Sequence, residues 1–313
     1  MSTTSNAPAK RGRPPLSKKA KVELAGKSVS ILCIAVVVLL VVTLVFMVAQ
    51  HGLATFFVDG ISPIAFLTGT EWNPHVNDEA GNPLMGALPM IVGSFSVTLL
   101  STVISIPFAI GSAIFVVEIA PRFGRKVFQP VVELLVGIPS VVYGLLGLTI
   151  VVGFMRDMTG TTGYGILSAS IVLALMILPT ITSLSIDAIT AVPKSYREGS
   201  YGVGASRWQT IWHVVLKSAL PSLMTAVILG MTRAFGETLA VRMVIGGAEV
   251  MPASLLSPAS TITTTLTTSM AIYADGSVQK DVLWSLGLML MGMSLIFIMI
   301  IHFIGKKGAK SHG

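Results

Sequence analysis

The sequence predicts an all-α membrane protein of about six transmembrane helices, with the N and C termini both cytoplasmic. Three observations carry that expectation. First, 53% of the 313 residues are hydrophobic and only 11% are charged, with a mean hydropathy of +0.82; a soluble domain carries roughly twice that charged share. Second, windows of roughly 20 apolar residues, long enough to cross the hydrocarbon core, occur at about 28–49, 92–117, 131–155, 166–188, 220–245 and 282–304. Third, the basic residues gather on one side of such a chain. Seven precede the first window (Lys10, Arg11, Arg13, Lys18, Lys19, Lys21, Lys27) and three follow the second (Arg122, Arg125, Lys126). Four follow the fourth (Lys194, Arg197, Arg207, Lys217) and three follow the sixth (Lys306, Lys307, Lys310). By the positive-inside rule these segments are cytoplasmic, so the net charge of +7 is mostly a topology signal.

Residues 1–27 read as a basic, disordered cytoplasmic tail. Its Arg11-Gly12-Arg13-Pro14 is the core of a minor-groove DNA hook. Membrane topology already explains those charges, and no nucleic-acid partner is expected. "AGKS" at 25–28 ends like a phosphate-binding loop, but Lys21 stands where that loop needs glycine. Residues 28–49 carry no charge and exceed the apolar run of a signal peptide, which predicts an uncleaved anchor. Residues 50–91 form the longest extracytoplasmic loop, rich in turn residues with aromatic packing.

Residues 92–304 form a core of five spans. Spans two, three and four each hold an internal proline, Pro107, Pro139 and Pro179, which predicts three kinked helices. Small residues nearby, such as Gly137, Ser140, Gly144 and Gly147, permit close helix approach. Kinks around a pathway and ordinary helix packing both fit. The outer connection at about 246–281 contains the hydroxyl-rich "SPASTITTTLTTSMA", as a pathway border or as a plain loop. Residues 305–313 form a short basic tail. No metal or cofactor is expected, because Cys33 is the only cysteine and the five histidines lack ligand spacing.

The cytoplasmic loop at 188–218 is polar yet patterned. Pro193 opens a short helix, Gly202 and Gly204 break it, and a second helix follows from about Ser206. Trp208, Ile211, Trp212 and Val215 fall at i, i+3, i+4, i+7 on one face of that helix. A rigid knob for docking another protein and a pair of interfacial tryptophan anchors are both open readings.

This loop resembles the Glu-Ala-Ala (EAA) motif of bacterial ABC-importer permeases: Glu-Ala-Ala, three residues, Gly, nine residues, Ile, any residue, Leu-Pro. Glu198 and Gly204 stand at the required spacing, with Val214 and Leu216 at the isoleucine and leucine positions. Gly199 and Ser200 replace the two alanines, and Lys217 replaces the proline. The resemblance implies a type I permease bundle whose loop is the coupling helix seated on an ATPase subunit. "FLTGTEWNP", "GIPSVVYGLLGL", "RAFGETLAV" and "ASLLSPASTITTTL" further resemble the PstC-type permeases of bacterial phosphate importers. "IPSVVYG" and "RAFGET" are also similar to the sister PstA type, while "TEWNP" favours PstC. From about residue 25 onward, the resemblance implies a non-catalytic inner-membrane subunit in a heterodimer with a PstA-like permease. It also implies cytoplasmic ATP-binding subunits, an extracytoplasmic phosphate-binding protein and a lipid environment.

Span five holds Arg233 near mid-membrane and Glu237 one turn further out. Arginine at the bilayer centre costs from about 2.5 to 17 kcal/mol depending on the scale, so it must face the bundle interior. At i, i+4 the two side chains share a helix face and can pair. One reading lines an anion pathway with Arg233, whose fork suits phosphate, and lets Glu237 moderate the grip. The other is an ion pair that locks helices together. Arg242 lies nearer the outer surface and is set aside as a core site.

An ion-coupled secondary transporter would show inverted repeats, and none is visible. A membrane enzyme would need a clustered nucleophile and base, also not visible. Physics alone leaves sulfate and molybdate open beside phosphate.

Overall fold

The computed structural model describes residues 18–77 and 83–310. The expectations for the tail at 1–17 and for residues 311–313 fall outside the described residues. The elements are helical apart from one hairpin: α1 (Lys18–Phe57), α2 (Pro63–Thr68), β1 (Trp72–Asn77), β2 (Pro83–Met85), α3 (Leu88–Ile114), α4 (Pro121–Phe123) and α5 (Gln129–Val136). They continue as α6 (Ser140–Leu146), α7 (Val152–Thr159), α8 (Ile166–Thr190), α9 (Lys194–Gly202), α10 (Arg207–Thr210), α11 (Leu216–Phe235), α12 (Leu239–Ile245), α13 (Ile262–Ser269) and α14 (Val278–Lys310). Among the described residues six helical stretches are long and apolar enough to cross a membrane, beginning at Gly26, Leu88, Ser140, Ile166, Arg207 and Val278.

The described residues up to Gln50 and those from His51 onward form two units. In the first, the apolar side chains of α1 from Val29 to Phe46 are exposed. A helix apolar all round, with no partner in its own unit, presents a surface for lipid or for another membrane chain. Helix α1 starts at Lys18, so the last part of the segment expected as a disordered tail is helical.

The second unit is built on α3 and α8. Helix α3 buries Val97, Ser101, Ser105, Ala109 and Ala113, one every four residues, so a single stripe of small side chains faces its neighbour. The approach is close enough for Ser105 Oγ to donate to the Ala174 carbonyl at 2.9 Å, across to α8. Ser101, Thr102 and Ser105 also return their hydroxyls to carbonyls one turn back, which satisfies them in an apolar setting. Three apolar clusters fill the unit from one end to the other. One packs the outer loop against α14 through Phe66, Trp72, Met90 and Leu286. The middle one centres on α8, and the cytoplasmic one joins the ends of α3, α8 and α11.

Pro107 and Pro179 lie inside continuous helices, as expected. Pro139 does not kink a continuous span three. It is the N-cap of α6, after α5 has ended at Val136. A residue before proline is pushed out of the helical region, so Ile138 turns the chain. Tyr143 restores one lost partner, its phenol donating to the Leu135 carbonyl at 3.0 Å.

The outer connection after α12 is not a plain loop. It turns back into the fold as α13, opened by a capping box between Thr261 and Thr264 and burying Thr263, Thr264 and Thr265. Gly93 of α3 makes that re-entry possible, because a Cβ there would strike the Ser260 carbonyl. Gly93→Ala is therefore expected to lower the melting temperature of the purified complex, by the ~1–3 kcal/mol typical of overpacking. Gly111→Ala on the same helix meets open space and should not lower it, alanine being the better helix former.

Candidate functional site

Span five is two helices, which corrects the continuous span expected at 220–245. Helix α11 ends at Phe235, Gly236 caps it, and α12 begins only at Leu239 after Thr238. The break decides where the two intramembrane charges go. Arg233 sits in the last turn of α11, where a cation complements the exposed carbonyls of the helix end. Its Nη1 donates to Thr180 Oγ1 at 2.5 Å. Thr180 is the fifteenth of the 25 residues of α8, so Arg233 lies level with the middle of that span.

Glu237 lies in the break itself, and its Oε1 accepts the Ala240 N–H at 3.2 Å, so it caps α12. The Thr263 hydroxyl of α13 donates to its backbone carbonyl at 3.0 Å. Glu237 also borders a small void with Ser94, Thr98, Thr261 and Thr263. The expected Arg233–Glu237 ion pair is absent among the described residues. With the helix interrupted between them, the i, i+4 relation no longer places the side chains on one face. Among the described residues, Arg233 is left exposed on its own chain with a single hydrogen bond.

The loop at 188–218 has the helix–glycine–helix layout that its pattern predicts. Pro193 is the N-cap of α9, one position earlier than a first-turn proline. Gly204 turns the chain at φ +86, a conformation in which a side chain is strained. Ser206 opens α10 with a capping box: its N–H donates to Gln209 Oε1 at 2.8 Å, and its hydroxyl accepts from the Gln209 N–H at 3.3 Å. Glu198 and Gly199 are exposed on α9, while Ser200 is half-buried with its hydroxyl 2.9 Å from that of Thr210. Val214 and Leu216 are half-buried.

The expected four-residue face divides. Ile211 and Val215 are 2% and 0% exposed, but Trp208 and Trp212 are 58% and 50% exposed and meet edge to face at 5.8 Å. Residues Ile211–Val215 form a π-helical turn, which rotates the register away from 3.6 residues per turn. The two rings border an apolar groove with Pro107, Ile114 and Leu220.

Sequence reasoning missed the residues that fasten this loop. Glu118, at the end of the π-helical turn after α3, has a side chain only 8% exposed and pairs with Arg197 of α9. Arg197 donates to Glu118 Oε1 through Nε at 2.9 Å and Nη2 at 2.7 Å. It also donates to the Val192 carbonyl at 2.6 Å and the Ile189 carbonyl at 3.0 Å. Arg207 closes the cluster by donating to the carbonyls of Glu118 and Ile119. The available signal was a lone acid just after an apolar window, in "FVVEIAPR", but its partner lies 79 residues away.

With this geometry in view, the comparisons are direct. Residues 105–307 match the family model described as binding-protein-dependent transport system inner membrane component. The chain belongs to this family. It is thus the non-catalytic, multi-pass permease component of an ABC importer in the inner membrane. It is 50% identical over 286 residues to the probable ABC transporter permease protein YqgH of Bacillus subtilis, covering 91% of each chain. It is 34% identical to the phosphate transport system permease protein PstC of Mesorhizobium japonicum, over 77% of each chain. Among solved structures, the permease resembles an inward-facing MetNI methionine ABC transporter with a TM-score of 0.50 at 19% identity, covering 69% of this chain and 96% of that one. At that identity the likeness speaks for the fold alone.

Proposed function

We propose that this chain is the PstC-type permease of an ATP-driven importer of inorganic phosphate. It would form the pathway with a PstA-like permease, take phosphate from an extracytoplasmic binding protein, and be driven by cytoplasmic ATP-binding subunits. The observation that carries the reading is Arg233: mid-membrane, exposed on its own chain, and using one donor of its fork. An arginine in lipid without acceptors is costly, and a tetrahedral oxyanion supplies acceptors that match two parallel N–H groups. The second permease would cover the surface that this chain leaves open. Similarity to PstC proteins supports phosphate as the oxyanion, and the "TEWNP" stretch supports the PstC type over the PstA type.

Glu237 plays a different part from the one expected of a partner to Arg233. By capping α12 it holds the break in which the helix end presents Arg233, and its charge limits how tightly an anion settles nearby. On the cytoplasmic side, Glu198, Gly199 and Ser200 of α9 form the face offered to the ATPase, with Gly204, Val214 and Leu216 setting the angle and packing of the second helix. Movement of α9 reaches α3 through the Arg197–Glu118 pair, then α8 through the small-residue stripe, and so Thr180 and Arg233. Phosphate uptake should disappear on deletion of the chain and return with the wild-type copy. Competition of that uptake by excess sulfate or molybdate would redirect the reading to another oxyanion.

A further inference from the structure

Beyond Arg233, the outward-running surface of α11 and α12 carries a second arginine in the same unsatisfied condition. Arg233, Gly236 and Leu239 are exposed, Arg242 is half-buried, and Gly246 is exposed. Arg233 lies in the last turn of α11 and Arg242 in the last turn of α12, one on either side of the break. Arg242 makes no side-chain hydrogen bond and no ion pair among the described residues. Its guanidinium rests on Gly247, a residue at φ +72 where a Cβ would overlap it. The Glu249 carboxylate feels the Arg242 charge but forms no ion pair with it among the described residues. Burial pushes the Glu249 carboxyl up towards its neutral form, against a hydrogen bond from Thr265 and the Arg242 charge. A guanidinium cannot shed its proton, so a half-buried one with five idle donors lacks an acceptor that its own chain does not provide.

We infer that Arg242 is an outer anion-binding station, receiving the tetrahedral oxyanion before it reaches Arg233. The inference rests on the phosphate-importer reading, and it deepens that reading by giving the substrate two stations, one on either side of the α11–α12 break. Gly247 leaves the fork room to lie flat.

The test uses the complete importer in proteoliposomes, with phosphate uptake and binding-protein-stimulated ATP hydrolysis measured together. Arg242→Gln is expected to cut uptake by about tenfold, the loss of one charge-assisted contact, while ATP hydrolysis stays within about twofold of wild type. A parallel fall in both activities, or unchanged uptake, overturns the inference. A second variant guards against a merely structural role. Arg242→Cys in a Cys33→Ser background should regain uptake when modified with an ammonium-bearing thiosulfonate but not with a sulfonate-bearing one. Equal recovery with both reagents also overturns it. No phosphate uptake by the wild-type importer instead removes the phosphate reading itself, and this inference with it.

Discussion

Arg233→Ala is expected to bring phosphate uptake to background while the importer still assembles. Among the described residues the side chain makes one hydrogen bond, to Thr180, so its removal breaks little within the fold. What is lost is the mid-membrane positive charge and the fork that would grip an oxyanion. A charge-assisted hydrogen bond contributes roughly 1.5–3 kcal/mol, and two in parallel with the charge itself account for complete loss of transport. Arg233→Lys keeps the charge without the fork and should retain only a small part of the rate. Glu237→Gln isolates the other charge, because the amide oxygen can still accept the Ala240 N–H and keep α12 capped. It too should abolish uptake with assembly intact. Radiolabelled phosphate uptake beside affinity co-purification of the other subunits separates the cases. If both variants fail to assemble, the charges hold the complex together and do not form a pathway.

Glu118→Ala should both destabilise the permease and uncouple it. The carboxylate accepts two N–H groups of Arg197 in a nearly closed site. Removing one member of a buried pair leaves the other charge uncompensated, a loss of about 3–5 kcal/mol. Arg197 is 17% exposed, and its bonds to the Val192 and Ile189 carbonyls remain, which places the loss toward the lower figure. Because the pair joins α9 to the end of α3, the surviving protein should show ATP hydrolysis no longer stimulated by the loaded binding protein. Glu198→Lys provides the contrast: exposed on α9, it should leave the melting temperature unchanged while weakening co-purification of the ATPase. If Glu118→Ala lowers stability but leaves stimulated hydrolysis normal, the pair is only a fastening and not a link in coupling.

Most of the architecture was legible because the bilayer simplifies the chemistry. A span must be about 20 residues long and nearly free of charge, so length and composition mark it without any knowledge of packing. The cytoplasmic loop was legible for a similar reason. The glycine break at Gly204 and the helix start at Ser206 are local signals, written within three residues of one another. Local devices were also where finer readings failed. Pro139 stands at the start of a new helix whereas Pro107 and Pro179 lie inside continuous ones, and the proline alone does not distinguish the cases. The face holding both tryptophans was read at 3.6 residues per turn, whereas a π-helical turn there shifts the register.

By itself, then, the sequence determined the solvent, the number and orientation of the spans, the two-helix cytoplasmic knob and the presence of two costly charges in "MTRAFGETLAVRM". Only the tertiary structure decided what those charges do. A three-residue break sends Glu237 to cap α12 and leaves Arg233 at the end of α11 beside Thr180. It likewise joined Glu118 to Arg197 and left Arg242 half-buried in the last turn of α12. Hydropathy and capping depend on residues within a few positions of each other. Hydrogen-bond partners for a buried or intramembrane charge come from whichever backbone or side chain the packed fold brings near, however distant in the chain.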